Sequence, residues 1–452
     1  MRFFTIIILF FIFALATVAS DTCGTNAHAD PFFEAPNDVA EYSLGKIIRS
    51  REVQLNVTAL PMLQAVGKTY QIVYRSQGFD ASQPEANVMT VFVPKTYNPS
   101  KVSNVEVVLG AAAYDSNNPQ CGPSRTILSS NVTAELFSVG IQLSLNRIYV
   151  LPDFEGPKAA FQQGNVAAAA CLDALRALLQ FSTIIPSTSK DKVRIGLEGY
   201  SNGGHAIAWT LQRLYTYAPE LEKHVVGASI GGVPANATQV AQLEDGTRIA
   251  GFILLSLFGQ AKVDKRVESW IEKHGIAGQI KKAKQYTETL CIDTVLKPFA
   301  GQKIWEKYFN LQAVQAYDDS SLPLSEGVVA TQQGQSYAVK EITVPIFLFH
   351  SIHDQFVPIM TADEYQSRLC SGKSATVRYI RSTTEKHLGM RIVHIPYTAL
   401  FLQGQFSGKG IPTGCQREDK ALTLDDPTNV AAFGNATITA LTQALQLARS
   451  EE

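Results

Sequence analysis

One stretch constrains the fold of this chain more than any other. The short apolar run Val193-Arg194-Ile195-Gly196-Leu197 leads into Gly199-Tyr200-Ser201-Asn202-Gly203, and a helical run containing Gly204, Ala206 and Ala208 leads out. A strand that turns straight into a helix leaves almost no room at the bend. The serine backbone there is strained, and glycine alone tolerates the flanking positions. The bend lifts the Ser201 hydroxyl clear of the sheet and sets it at the N-terminal end of the following helix. An ordinary serine turn needs neither the strand before it nor the small residues after it.

The rest of the chain supplies a sheet for that strand. Gln71–Tyr74 and Val88–Val93 read as early strands, the second alternating around Val88, Thr90 and Phe92. Val105–Leu109 is a stronger strand ended by Gly110, and Arg147–Leu151 is another ended by Pro152. Asn165–Phe181, rich in Ala and Leu without Gly or Pro, predicts a helix. Gly203–Tyr217 predicts a helix and Val225–Ile230 a strand. Strand and helix alternate, which is the pattern of a mostly parallel sheet covered on both faces. The alternation stops near Pro234, and residues 238–334 have a helical texture, with Val267, Trp270, Ile271 and His274 at helical spacing. Strand texture resumes at Val344–Phe349. The expected architecture is α/β, of the α/β-hydrolase type: a mostly parallel central sheet with flanking helices and a helical insertion. The core is expected at 21–235 and 339–452, with the insertion at 236–338 and residues 21–60 wrapping the core.

A serine hydroxyl is a weak nucleophile, so it needs a base, and the base needs an orienting carboxylate. In this fold the chain order is Ser, acid, His. Asp354 lies just after the late strand, in His350-Ser351-Ile352-His353-Asp354-Gln355-Phe356. Only His387 and His394 follow it. His387 is in a polar loop after the predicted strand Ala375–Ile380, whereas His394 sits in an apolar run and reads as a core residue. The predicted catalytic set is Ser201, Asp354 and His387. His205 is assigned a structural or pocket-lining role, and His350 and His353 support the acid loop. An oxyanion hole needs two backbone N–H donors. Asn202 follows the nucleophile, and the loop after Val105–Leu109 places Asp115 by position. A carboxylate at Asp115 is unfavourable beside an oxyanion unless it is protonated or turned away. No H-E-x-x-H or C-x-x-C occurs, so no metal and no cofactor is assigned.

Composition enters through compartment and partners. The chain has 452 residues, 46 % hydrophobic and 17 % charged, with a net charge of -1, which argues against nucleic acid as a partner. Residues 1–20 have the layout of a secretory signal peptide: Arg2, an apolar run from Phe3 to Ala14, then Thr17-Val18-Ala19-Ser20. No later run is long and apolar enough for an integral membrane span. In an oxidising compartment the six cysteines can pair. Cys171 reads as a buried free thiol and Cys23 as loose, leaving Cys121, Cys291, Cys370 and Cys415, for which three pairings are open. Asn56, Asn131, Asn236 and Asn435 begin Asn-x-Thr sequons and are candidate glycosylation sites.

At this point the chain resembles a family, the fungal secretory lipases of the Candida antarctica lipase A type. The segments that carry the resemblance occur in order: Ala113-Tyr114-Asp115-Ser116 with Cys121-Gly122-Pro123-Ser124, Leu151-Pro152-Asp153-Phe154-Glu155-Gly156-Pro157, Leu172–Ala177, Gly199–Ala206, and Gly246–Gln260. The resemblance implies Ser201 as nucleophile, Asp354 as acid, His387 as base, and the N–H groups of Asp115 and Asn202 as oxyanion hole. It also implies a helical lid, the pairings Cys121–Cys291 and Cys370–Cys415, and structural roles for Asp153 and Glu155. Two departures stand out. Family elbows often carry Gly where this chain has Asn202, and Ser351-Ile352-His353 stands where related acid loops commonly have Gly.

The resulting expectation is a secreted, monomeric triacylglycerol lipase that cleaves long-chain esters at an oil–water interface through a serine acyl-enzyme. Phe252–Leu255 with Leu257 and Phe258 could line an acyl channel, or could be ordinary helix core. The alternatives are a soluble carboxylesterase, a serine peptidase or an acyltransferase on the same site, or a secreted binding protein without catalysis.

Overall fold

Ten strands form one sheet in the order β1-β2-β3-β5-β4-β6-β7-β8-β9-β10. A computed structural model describes residues 30–55, 61–101, 104–128, 134–309, 311 and 342–452. The strands are β1 (Ile47–Val53), β2 (Val66–Ser76), β3 (Glu85–Pro94), β4 (Val105–Ala111), β5 (Ile148–Pro152), β6 (Val193–Tyr200), β7 (Val225–Gly231), β8 (Ile346–Ser351), β9 (Thr376–Ser382) and β10 (Gly414–Lys420). β1, β2, β3 and β5 pair antiparallel in turn. From β5 across to β10 every pairing is parallel.

Parallel strands need crossover helices, and these cover both faces. Along β4, Val105, Val107 and Leu109 join one core with the helices Gly164–Gln180 and Asn202–Tyr217. Val108 points to the other face, toward Leu136 and Val139 of helix Ala134–Ser144 and Leu402 of helix His387–Phe406. β3 is covered on both faces, and every residue from Glu85 to Pro94 is buried.

Between β7 and β8 the described chain is helical: Ala237–Glu244, Gly251–Ala261, Lys265–His274, Ala277–Thr289 and Ile304–Phe309. These helices build a separate core around Leu254, Leu257, Phe258, Trp270 and Trp305. Asn236 and Asp264 cap two of them by accepting from Gln239 N and Arg266 N. Val267, Trp270 and Ile271 are buried, and the His274 ring stacks on Trp270 at 4.8 Å. Ile253, Leu254, Leu255, Leu257 and Phe258 are core residues, while half-buried Phe252 stacks on Phe161 at 6.0 Å. A disulfide joins Cys121, after β4, to Cys291 in this helical segment, and a second joins Cys370 to Cys415 on β10. Cys171 is a free thiol in the core.

Some elements differ from the sequence reading. β6 continues to Tyr200, up to the serine itself, and β8 starts at Ile346 rather than Val344. The edge strands β1 and β10 and the long helix Pro427–Ser450 were not expected. Cys23, Asn56, Asn131 and the expected signal peptide at 1–20 lie outside the described residues, as do 310 and 312–341. Among the described residues no helix is long and apolar enough to cross a membrane.

Candidate active site

The strand order reverses at β4, which lies between β5 and β6. In open α/β sheets such a switch opens a crevice at the carboxyl ends of the strands. β6 delivers Ser201 to that crevice. Its backbone takes φ 57° and ψ −124°, a conformation that costs a non-glycine residue of order 1–3 kcal/mol. Hydrogen bonds hold it there: Ser201 N donates to Gly231 O at 2.9 Å, and His205 N donates to Ser201 O at 3.0 Å. The flanking glycines are needed for space. A Cβ on Gly199 would stand 2.2 Å from Gly203 O, and one on Gly203 would stand 2.0 Å from Ala111 O. The elbow therefore packs directly on the end of β4, where Ala111 is in register with Gly199.

His387 Nε2 lies 3.0 Å from Ser201 Oγ, and His387 Nδ1 lies 2.7 Å from Asp354 Oδ2. A carboxylate only accepts, so Nδ1 carries the proton and Nε2 presents its lone pair to the hydroxyl. The expected loop position of His387 needs correction: it is the first residue of helix His387–Phe406, although it still directly follows the loop after β9. The helix start fixes the ring from several sides. His387 N donates to Gln355 Oε1 at 3.2 Å, and Tyr200 Oη donates to His387 O at 2.8 Å. Phe356 and Tyr200 pack against the imidazole at 5.0 and 5.1 Å.

Asp354 sits in the turn after β8 with its side chain fully buried. Oδ1 accepts from Phe356 N at 2.9 Å and Val357 N at 2.8 Å. Burial opposes its ionisation, but the facing His387, then His350 and the Val357 N–H, outweigh that and hold the carboxyl below its usual value. His350 Nε2 donates to Val357 O at 2.8 Å and lies 3.4 Å from Asp354 Oδ2, while His353 is exposed.

The loop after β4 faces the elbow. Asp115 is buried at φ 41°. Burial raises its carboxyl to about 6, against the pull of Arg391 and His387. Asn202 is the first residue of its helix, so its N–H has no intrahelical acceptor. The loop is also tied to the helical segment, by Asn117 Nδ2 to Leu255 O at 2.9 Å, Asn118 Nδ2 to Thr289 O at 3.1 Å, and the Cys121–Cys291 disulfide.

The other singled-out residues serve the frame. His205 Nε2 accepts from Trp209 Nε1 at 3.0 Å, and burial pulls it down to about 4, so it stays neutral. Burial likewise pulls His394 down to about 3, with its Nδ1 3.2 Å from Thr398 Oγ1. Asp153 accepts from Ser124 N at 2.8 Å. Among the described residues no group of His, Cys, Asp and Glu could hold a metal. The sequence reading missed Gln355, which holds the His387 backbone N–H, and Tyr200 and Phe356, which pack against the imidazole. Tyr200 and its neighbours lie inside the quoted motifs, but their contacts depend on elements far apart in the chain.

The chain matches the family described as secretory lipase over residues 123–414. Lipase A of Moesziomyces aphidis is 30% identical over 393 residues, covering 85% of this chain and 81% of that protein. A secreted triacylglycerol lipase of Malassezia globosa is 28% identical over 402 residues, covering 86% of this chain and 80% of its own. Candida antarctica lipase A in its closed state superposes with a TM-score of 0.80 at 26% identity, over 92% of this chain and 94% of that one. A serine on a strained elbow at the switch of a mostly parallel sheet, with an imidazole and a buried carboxylate behind it, thus occurs in a chain that belongs to the secretory lipase family.

Proposed function

We propose that Ser201, His387 and Asp354 act as a nucleophile, base and acid triad that hydrolyses long-chain carboxylic esters, triacylglycerols among them, through an acyl-enzyme. The observation that carries this reading is the pair of contacts at His387, 3.0 Å to Ser201 Oγ and 2.7 Å to Asp354 Oδ2. His387 takes the proton as Ser201 attacks the ester carbonyl, and Asp354 stabilises the imidazolium that forms. The backbone N–H groups of Asp115 and Asn202 receive the tetrahedral oxyanion, each worth about 3 kcal/mol by comparison with other enzymes. His387 then protonates the leaving alcohol and activates water for deacylation.

In this reading residues 236–338 form a helical cap on a core built from 21–235 and 339–452. The links from Asn117, Asn118 and Cys121 to the helical segment support a cap that is anchored to the oxyanion loop. The protein acts as a monomer at an oil–water interface after loss of residues 1–20. The test is hydrolysis of p-nitrophenyl esters from butyrate to palmitate, with emulsified tributyrin and triolein alongside. Rates that hold or rise with chain length, and turnover of triolein, support a lipase. A steep fall beyond short chains, with triolein untouched, points to a soluble carboxylesterase.

A further inference from the structure

The two N–H groups assigned to the oxyanion come from separate parts of the chain, and nothing in either loop alone fixes their spacing. One buried residue touches both loops. Glu155, in the turn after β5, is 1% exposed. Its backbone N–H donates to Tyr114 Oη at 2.9 Å, and Tyr114 immediately precedes Asp115. Its carboxyl Oε1 accepts from Asn202 Nδ2 at 2.8 Å. Asp115 holds an unfavourable φ of 41°, so the residues beside it must be held for that conformation to persist. Tyr114 is further fixed by an edge-on contact with Phe154 at 5.3 Å.

We propose that Glu155 is a positioning residue for ester cleavage, bracing the loop after β4 against the elbow after β6 so that the N–H groups of Asp115 and Asn202 converge on one oxygen. This rests on the serine-hydrolase reading above. It also gives Asn202 a task that a glycine at that position could not perform, because the brace at the elbow end is the asparagine side chain. Burial first, and then the charge of Asp115, push the Glu155 carboxyl well above its ordinary value. Glutamine has the same shape and keeps a side-chain oxygen that accepts from Asn202 Nδ2.

The experiment compares Glu155→Ala, Glu155→Gln and Asn202→Ala with the parent and with Ser201→Ala, using p-nitrophenyl butyrate well below every melting transition. A misplacement of about 1 Å in a catalytic group costs on the order of 100-fold. Glu155→Ala should therefore lower kcat by about 10- to 100-fold with KM within about twofold, because the lost interaction matters in the transition state. Glu155→Gln should recover most of that loss. Asn202→Ala keeps its backbone N–H yet should lose kcat comparably, and adding Glu155→Ala to it should cost little more. If Glu155→Ala does not fold, Asn202→Ala and Glu155→Gln decide the matter. The proposal is overturned if kcat survives both alanine changes, if the losses multiply, or if Glu155→Gln falls as far as Glu155→Ala. Should Ser201→Ala itself stay active, the serine-hydrolase reading fails instead.

Discussion

Gly203→Ala tests whether the elbow works by close backbone approach. The added Cβ would meet Ala111 O at 2.0 Å and Ala111 C at 2.8 Å, whereas ordinary contact begins near 3.4 Å. Both obstacles are backbone atoms of the central strand β4, so no side chain can rotate away. Helix Asn202–Tyr217 must lift from β4 by about 1 Å, and with it Ser201 and the Asn202 N–H. Overpacking of this kind costs about 1–3 kcal/mol. The displacement should also lower kcat/KM by about 100-fold, since the reacting groups no longer align. The assay is p-nitrophenyl butyrate hydrolysis with thermal melting on the same preparations. Gly278→Ala is the control, because no atom lies within 4 Å of its added Cβ in helix Ala277–Thr289. It should leave activity intact and stabilise by about 0.5–1 kcal/mol. A Gly203→Ala enzyme with parental kcat/KM would refute the argument that this contact sets the site.

Three further outcomes follow from the same structure. Removing Cys121–Cys291, which closes a loop of 170 residues, should cost about 5 kcal/mol by chain entropy, against about 4 kcal/mol for the 45-residue Cys370–Cys415 loop, as read by denaturant unfolding of paired Cys→Ala variants. Glu244 is held well above its ordinary value of 4.5, by burial first and then by the charge of Asp115. A raised folded value means that its contribution is full below the unfolded value and is lost as pH rises through the folded one. Stability should therefore fall as pH rises above 4.5 toward the folded value, and Glu244→Gln should flatten that fall in thermal melts. Asn435 is exposed, whereas Asn236 caps a helix and its Nδ2 donates to Glu364 Oε2 at 3.3 Å. Glycopeptide mass spectrometry of the secreted protein should find Asn435 occupied more fully than Asn236.

The sequence made the central strands and the elbow legible because both are local: a run of β-branched residues, then glycines that only a tight strand-to-helix turn requires. The order Ser, acid, His followed from where late strands end. Other features were not legible, for physical reasons. β10 is exposed along its whole length and has a charged sequence, Gly-Cys-Gln-Arg-Glu-Asp-Lys, so no apolar pattern marks it. β3 carries polar Asn87 and Thr90, yet both are buried in a sheet covered on two faces. His387 looked like a loop residue because its helix opens with no side-chain cap. The Glu155 brace was invisible because it joins β5, the loop after β4 and the elbow, which only the fold brings together.

The central claim is that Ser201 is the acylated nucleophile. A fluorophosphonate probe followed by peptide mass spectrometry tests it most directly. One adduct per chain on the Ser201 peptide is predicted, absent from Ser201→Ala, with esterase activity lost in step with labelling. An adduct on another residue, or hydrolysis that persists in Ser201→Ala at more than about a thousandth of the parental rate, would contradict the account.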